Sequence, residues 1–226
     1  MFLHHAPFCP HSRFVRLVLG EMGLEAELIE ERPWERRQGL LELNPAGTVP
    51  VLIDEDFVVP GAWVIVEHLD EKHGTSQRRL LPTSPAQRIE VRRLMDWFLA
   101  KFHDEVTGYL VTEKIHKRFM ASGAGGGPPE MSTIRAARSN IRYHLKYIGW
   151  LVATRNWLAG DELTFADLAA AAHLSAADYL GDVPWDEDDT AKQWYARVKS
   201  RPAFRTLLAD RVPGMAPGVQ YADLDF

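Results

Sequence analysis

The chain has 226 residues, 46% of them apolar and 25% charged, with a net charge of −5 and one cysteine. That length can bury one core or two. The acidic balance argues against nucleic acid as the main partner, and no apolar run reaches the roughly 20 residues that a membrane span needs. No secretory segment is expected at the start, and one cysteine forbids an internal disulfide and suits a reducing cytosol.

Phe2–His5 reads as a strand, followed by Ala6-Pro7-Phe8 and then Cys9-Pro10-His11-Ser12. Phe14, Val15, Val18, Leu19 and Met22 fall on one face at helical spacing, and Gly23 closes the helix. Cys9 therefore stands at a helix N-terminus, where the dipole and free N–H groups lower a thiol's pKa. Three readings stay open for it: a catalytic thiol, a half-buried thiol without a role, or a relic of an older active site. Adjacent strand residues point to opposite faces, so His4 and His5 cannot face one ion, and no metal site is expected. Ala26–Glu31 alternates as a second strand. Trp34, in the charged run Pro33-Trp34-Glu35-Arg36-Arg37, either packs on its own loop or anchors a partner protein.

Leu43-Asn44-Pro45-Ala46-Gly47-Thr48-Val49-Pro50-Val51-Leu52-Ile53 reads as a turn feeding a buried strand, with Pro50 placed where a missing donor is tolerated. A hairpin through Asp54-Glu55-Asp56 leads to Phe57–Val59, and Val64, Ile65, His68 and Leu69 carry a helix to Gly74. Asn-Pro-Ala-Gly-x-Val-Pro-Val-Leu and the order βαβ then ββα resemble the thioredoxin-like half of glutathione transferases. Cys-Pro-x-Ser resembles the active-site turn of their cysteine-type members, with Ser12 in place of a resolving cysteine. The resemblance implies a cis Val49-Pro50 bond that presents the backbone of Val49 to a peptide-like ligand, and a thiol-activating role for Cys9 or Ser12. In that family the helix after the hairpin opens with an acidic residue and a serine that bind the γ-glutamyl group. Here those positions are Gly61 and Ala62. Each lost charge-assisted hydrogen bond removes roughly 1.5–3 kcal/mol, so the ligand cleft at Val49, Pro50, Gly61 and Ala62 is expected to hold glutathione weakly, if at all.

Thr75 to Pro85 reads as a linker, and a long helix follows from Ala86 to about Met120 with Val91, Leu94, Met95, Phe98, Phe102 and Val106 as its apolar stripe. Ser122–Pro129 is a glycine-rich loop without the lysine of a phosphate cradle. The helix from Glu130 to about Thr154 carries a core stripe and, beside it, a basic ridge of Arg135, Arg138, Arg142 and Lys146. That ridge is either solvated surface or a dock for an acidic partner. Thr164 and Asp167 form a capping-box variant before the next helix. After Val212 the prolines and glycines exclude helix, yet the chain ends Tyr221-Ala222-Asp223-Leu224-Asp225-Phe226. Such an apolar end docks on its own protein or on another.

The expected architecture is an α/β thioredoxin-like domain over 1–74 and an all-α domain over 86–226, together the glutathione transferase fold. Phe8–Arg13, Pro60-Gly61-Ala62, Asn140–Trp150, Tyr179–Trp185 and the closing hexapeptide resemble a branch of that superfamily from α-proteobacteria whose dimers bind the division protein FtsZ and curve its filaments. This resemblance implies a non-catalytic cytoplasmic homodimer at the division site, with FtsZ as partner and no cofactor. Family dimers pack the thioredoxin-like half of one subunit on the first two long helices of the other, where Trp97 and Phe98 offer aromatics. Trp34, Arg135, Arg138, Arg142, Asp223, Leu224, Asp225 and Phe226 are the candidate partner-binding residues. The alternative is a cysteine-type glutathione transferase or thiol transferase using Cys9 and Ser12, with glutathione as its cofactor.

Overall fold

The computed structural model describes residues 1–75 and 79–223, so Leu224, Asp225 and Phe226 lie outside the described residues. The N-terminal half is a four-stranded sheet of β1 (Phe2–His5), β2 (Glu27–Glu30), β3 (Val51–Asp54) and β4 (Phe57–Pro60) in the order β2-β1-β3-β4. β1 and β2 are parallel, whereas β1–β3 and β3–β4 are antiparallel. A parallel pair needs a crossover, and α1 (Pro10–Met22) provides it. Pro10 occupies its first turn, and Gly23 at φ 67° ends it as a left-handed cap. A short α2 (Gln38–Leu43) precedes the Val49–Pro50 bond, which is cis. α3 (Ala62–His73) follows the hairpin.

The helical half opens with α4, which begins as Pro85–Asp96 and continues through Trp97–Thr107, Gly108–Val111 and Thr112–His116 to Lys117–Phe119. The stretches Trp97–Thr107 and Thr112–His116 are π-helical, a widening the periodicity did not announce. α5 (Met131–Val152), α6 (Phe165–Tyr179), α7 (Asp189–Lys199) and a single turn, α8 (Arg205–Leu208), complete it. α6 is buried along its whole length and packs on α1, so the two halves share one core. The buried Asp167 secures its start: its carboxylate accepts from Thr164 N–H and hydroxyl, Leu158 N–H and the Trp194 indole.

Two expectations are corrected here. The stretch read as a linker contributes Leu80 and Leu81 to the core, and the Leu80 carbonyl accepts from Phe165 N–H at 3.1 Å. Burial of paired leucines fixes the junction of the halves. Phe98 has no exposed surface and faces inward, so it offers nothing to a second subunit, whereas Trp97 is half-buried against Tyr147 at 4.4 Å.

Candidate functional site

A cleft of about 410 Å³ opens between the halves, over the N-terminus of α1. Its floor on the sheet side is Ala6, Cys9, Pro10, Thr48, Val49, Pro50, Gly61 and Ala62, so the structure brings the cysteine turn and the ligand-cleft residues together. Its far wall is α4, with His103, Gly108, Val111, Thr112 and His116. These two histidines escaped sequence reasoning because nothing local marks them. Only the crossing of α4 over the cleft puts them opposite Cys9.

Cys9 is half-buried, and its Sγ lies 3.8 Å from the Val49 carbonyl. Burial pushes the thiol up, but pairing with the His11 imidazole and bonding from Ser12 outweigh it and bring the thiol below its ordinary value. His11 moves the opposite way: burial lowers it, and the Cys9 pairing and the Leu99 carbonyl raise it. The His11 Nε2–H donates to that carbonyl at 2.9 Å, which turns Nδ1 toward acceptance. A thiol beside an imidazole oriented by a carbonyl is a competent nucleophile–base arrangement. Its neighbour His103, with ring centroids 4.6 Å apart, is held near about 4 by burial and by the charge on His11, so it stays neutral. His173 packs against both rings, wholly buried, and burial holds it well below its ordinary value.

Ser12 lies beneath the cleft with no exposed surface: its Oγ accepts from Ala6 N–H at 3.4 Å and it bonds the Cys9 thiol, so it braces the turn and supports the cysteine. Gly61 sits at φ +90° with open space where a side chain would project, and Ala62 behind it brings no hydroxyl. The place where the family binds an anionic head is thus a bare wall. Among the described residues no group of three or more histidine, cysteine or carboxylate side chains is arranged to hold a metal ion.

The partner-binding candidates do not form one patch. Trp34 packs on His116 of α4, with ring centroids 4.8 Å apart. Its indole Nε1–H is buried without an acceptor among the described residues. It borders a second groove of about 170 Å³, with Phe8, Ile115, Phe119, Val212 and Pro213 as apolar lining. Trp34 therefore belongs to the interdomain seam, not to its own loop. Half of the basic ridge is neutralised: Arg138 pairs with Asp182 at 2.6 Å and Arg142 with Glu187, while Arg135 and Lys146 are exposed. Those acids arrive from the loop after α6, a distance in sequence no helical pattern reveals. Asp223 is exposed, two residues beyond the buried Tyr221.

A thioredoxin-like sheet with a cis-proline turn, a Cys-Pro turn at a helix start and an all-α second half define a class. The glutathione S-transferase N-terminal domain matches residues 3–77, and the glutathione S-transferase C-terminal domain matches residues 132–202. The chain belongs to the glutathione S-transferase family. Within it, the chain is 46% identical to FtsZ-localized protein A of Caulobacter vibrioides, over 99% of this chain and 97% of that relative. The solved structure of FzlA from C. crescentus matches with a TM-score of 0.91 at 45% identity, covering 100% of this chain and 99% of that one. A glutathione S-transferase from Sinorhizobium meliloti matches with a TM-score of 0.97 at 53% identity, over 100% of this chain and 99% of the other.

Proposed function

We propose that this protein is an FtsZ-binding accessory of bacterial cell division, acting at the division site as a homodimer that modulates filament curvature without a cofactor. The observation that carries the reading is the end-to-end similarity to FtsZ-localized protein A, which spans the sheet, the helices and the C-terminal segment alike. The bare wall at Gly61 and Ala62 agrees with it, because a scaffold selected for binding a polymer has no use for a glutathione head site. Trp34 with its unsatisfied indole, exposed Arg135 and Asp223 are the described residues assigned to the FtsZ surface. Dimerisation is assigned to the exposed apolar side chains Phe57 and Val64 on one side and Ile89, Tyr143 and Trp150 on the other. A C2 pair presents each partner site twice and raises avidity on a polymer without new contacts.

Co-sedimentation with FtsZ polymer tests the reading. Wild type pellets with the polymer. Trp34→Ala loses about 2 kcal/mol of binding or more, as anchoring aromatics do, measured on protein that circular dichroism shows to be folded. Absence of wild type from the pellet overturns the assignment.

A second reading, a cysteine-type thiol transferase, is favoured by the Cys9–His11 pair alone. It requires glutathione turnover with an electrophile that Cys9→Ala abolishes, measured on protein without FtsZ.

A further inference from the structure

Helix α1 starts at the cleft, yet the residue after Ser12 turns away from it. Arg13 has no exposed surface. Its Nε–H donates to the Pro7 carbonyl at 2.8 Å and its Nη1–H to Ser175 Oγ at 2.8 Å. Its Nη2 donates to Asp210 Oδ2 at 3.0 Å and to Tyr221 Oη at 3.1 Å. The Tyr221 hydroxyl then donates to the Leu207 carbonyl at 2.7 Å. One planar guanidinium thus ties the turn that carries Cys9 to two points of the C-terminal segment.

Packing repeats the junction. The Phe8 ring lies 4.3 Å from Tyr179, and Tyr221 stands edge-on to the same Tyr179 ring at 5.1 Å. The Arg13 guanidinium carbon sits 4.5 Å over Phe8. Between these contacts the segment wraps Tyr179. The Tyr179 hydroxyl accepts from Val212 N–H at 2.9 Å and donates to the Met215 carbonyl at 2.9 Å, and its main-chain carbonyl accepts from Gly218 N–H at 2.7 Å.

We propose that residues 210–221 form a strap whose docking sets the conformation of the Cys9 turn, so that undocking the strap opens the cleft and occupying the cleft loosens the strap. The Leu207 carbonyl also accepts from Asp210 N–H at 3.2 Å and from Arg13 Nη2 at 3.4 Å. Withdrawing Tyr221 therefore removes the hydroxyl that Nη2 and that carbonyl share and the ring edge against Tyr179. The guanidinium then shifts into the space Tyr221 vacates and tightens on its remaining acceptors, Leu207 and Asp210. Because Nε and Nη2 share one rigid plane, re-seating carries the Pro7 carbonyl along, and Phe8 loses its packing beside Cys9. Linkage makes the effect reciprocal: whatever cleft occupancy does to the strap, strap docking does to the cleft. These contacts lie within the chain, so the proposal stands independently of FtsZ.

The chain's lone cysteine makes alkylation a site-specific reporter of the turn. Rates with N-ethylmaleimide are compared for wild type, Tyr221→Phe, Tyr221→Ala and Ile148→Val, each confirmed folded by circular dichroism. Ile148, in a separate apolar cluster, controls for lost stability. Tyr221→Ala reacts faster by roughly 5–150-fold, Tyr221→Phe by less, and Ile148→Val at the wild-type rate. A wild-type rate in folded Tyr221→Ala, or an equal rise in the control, overturns the strap. The reciprocal arm needs no variant: wild type alkylated at Cys9 exchanges the amides of 212–221 faster than unmodified protein. Unchanged protection there overturns it as well.

Discussion

The wall of the cleft at Gly61–Ala62 and the seam beneath Arg13 flank the same turn, Ala6 to Ser12, and are furnished in opposite ways. At the wall Gly61 meets open space where a side chain would project, and neither it nor Ala62 offers a hydroxyl or carboxylate to a ligand. At the seam a fully buried guanidinium has partners on Pro7, Ser175, Asp210 and Tyr221. The polar groups retained around Cys9 are therefore those that join parts of the chain, whereas the positions that would meet a glutathione head are bare. Such a division suits a protein whose shape is its product.

The seam supplies the largest expected effect. Arg13→Ala leaves Tyr221 without its donor and removes one of the two cations that Asp210 meets, Arg16 being the other. Breaking a buried pair in this way costs about 3–5 kcal/mol, read by chemical denaturation. A loss under about 1 kcal/mol, the range of surface pairs, would show that the seam is ornamental and erase the contrast with the wall.

The wall supplies the next. Ala62→Ser restores a hydroxyl at the head site. Calorimetric titration with glutathione should show a gain of about 1.5–3 kcal/mol over wild type, the worth of a hydrogen bond to a charged group. Equal affinity in the two proteins would mean that something other than the missing hydroxyl governs the cleft.

The smallest effect sharpens the comparison at Cys9 itself, between wall and seam. His11 holds the thiol below its ordinary value against burial, so the alkylation rate of wild type rises with pH to a midpoint below 9.0, the unperturbed thiol value. His11→Ala removes the strongest opposing pairing while burial and the Ser12 bonds remain, and the midpoint moves up from that of wild type. Stability follows the same sign: a thiol depressed in the fold stabilises above its unfolded pKa, and that contribution fades as pH falls through the folded one. Coincident midpoints in the two proteins would dissolve the pairing.

Much of the fold was legible from local pattern. The helical spacing of Phe14, Val15, Val18 and Leu19, the cap at Gly23 and the Thr164–Asp167 box all act over a few residues, and each is present as read. Cys9 at a helix start was legible on the same terms, whereas the cis turn before Val51 was implied only by the resemblance to glutathione transferases. Local pattern failed where charge or volume is answered from afar. The arginines of α5 looked like a free basic ridge until Asp182 and Glu187 came alongside, and Leu80 and Leu81 looked like linker until α6 covered them.

What the sequence determined by itself is the set of elements, which follows from residue type and near-neighbour spacing; the loss at Gly61–Ala62 was legible only through the resemblance to glutathione transferases. What only the tertiary structure decided is the company each side chain keeps. His103 and His116 line the same cleft as Cys9 because α4 crosses it, Ser12 bonds Ala6 and Cys9 within the turn, and Arg13 joins residues 7, 175, 210 and 221. A buried charge must find its partners wherever the packed chain brings them, and that address is written in the fold of the whole molecule, not in the residues beside it.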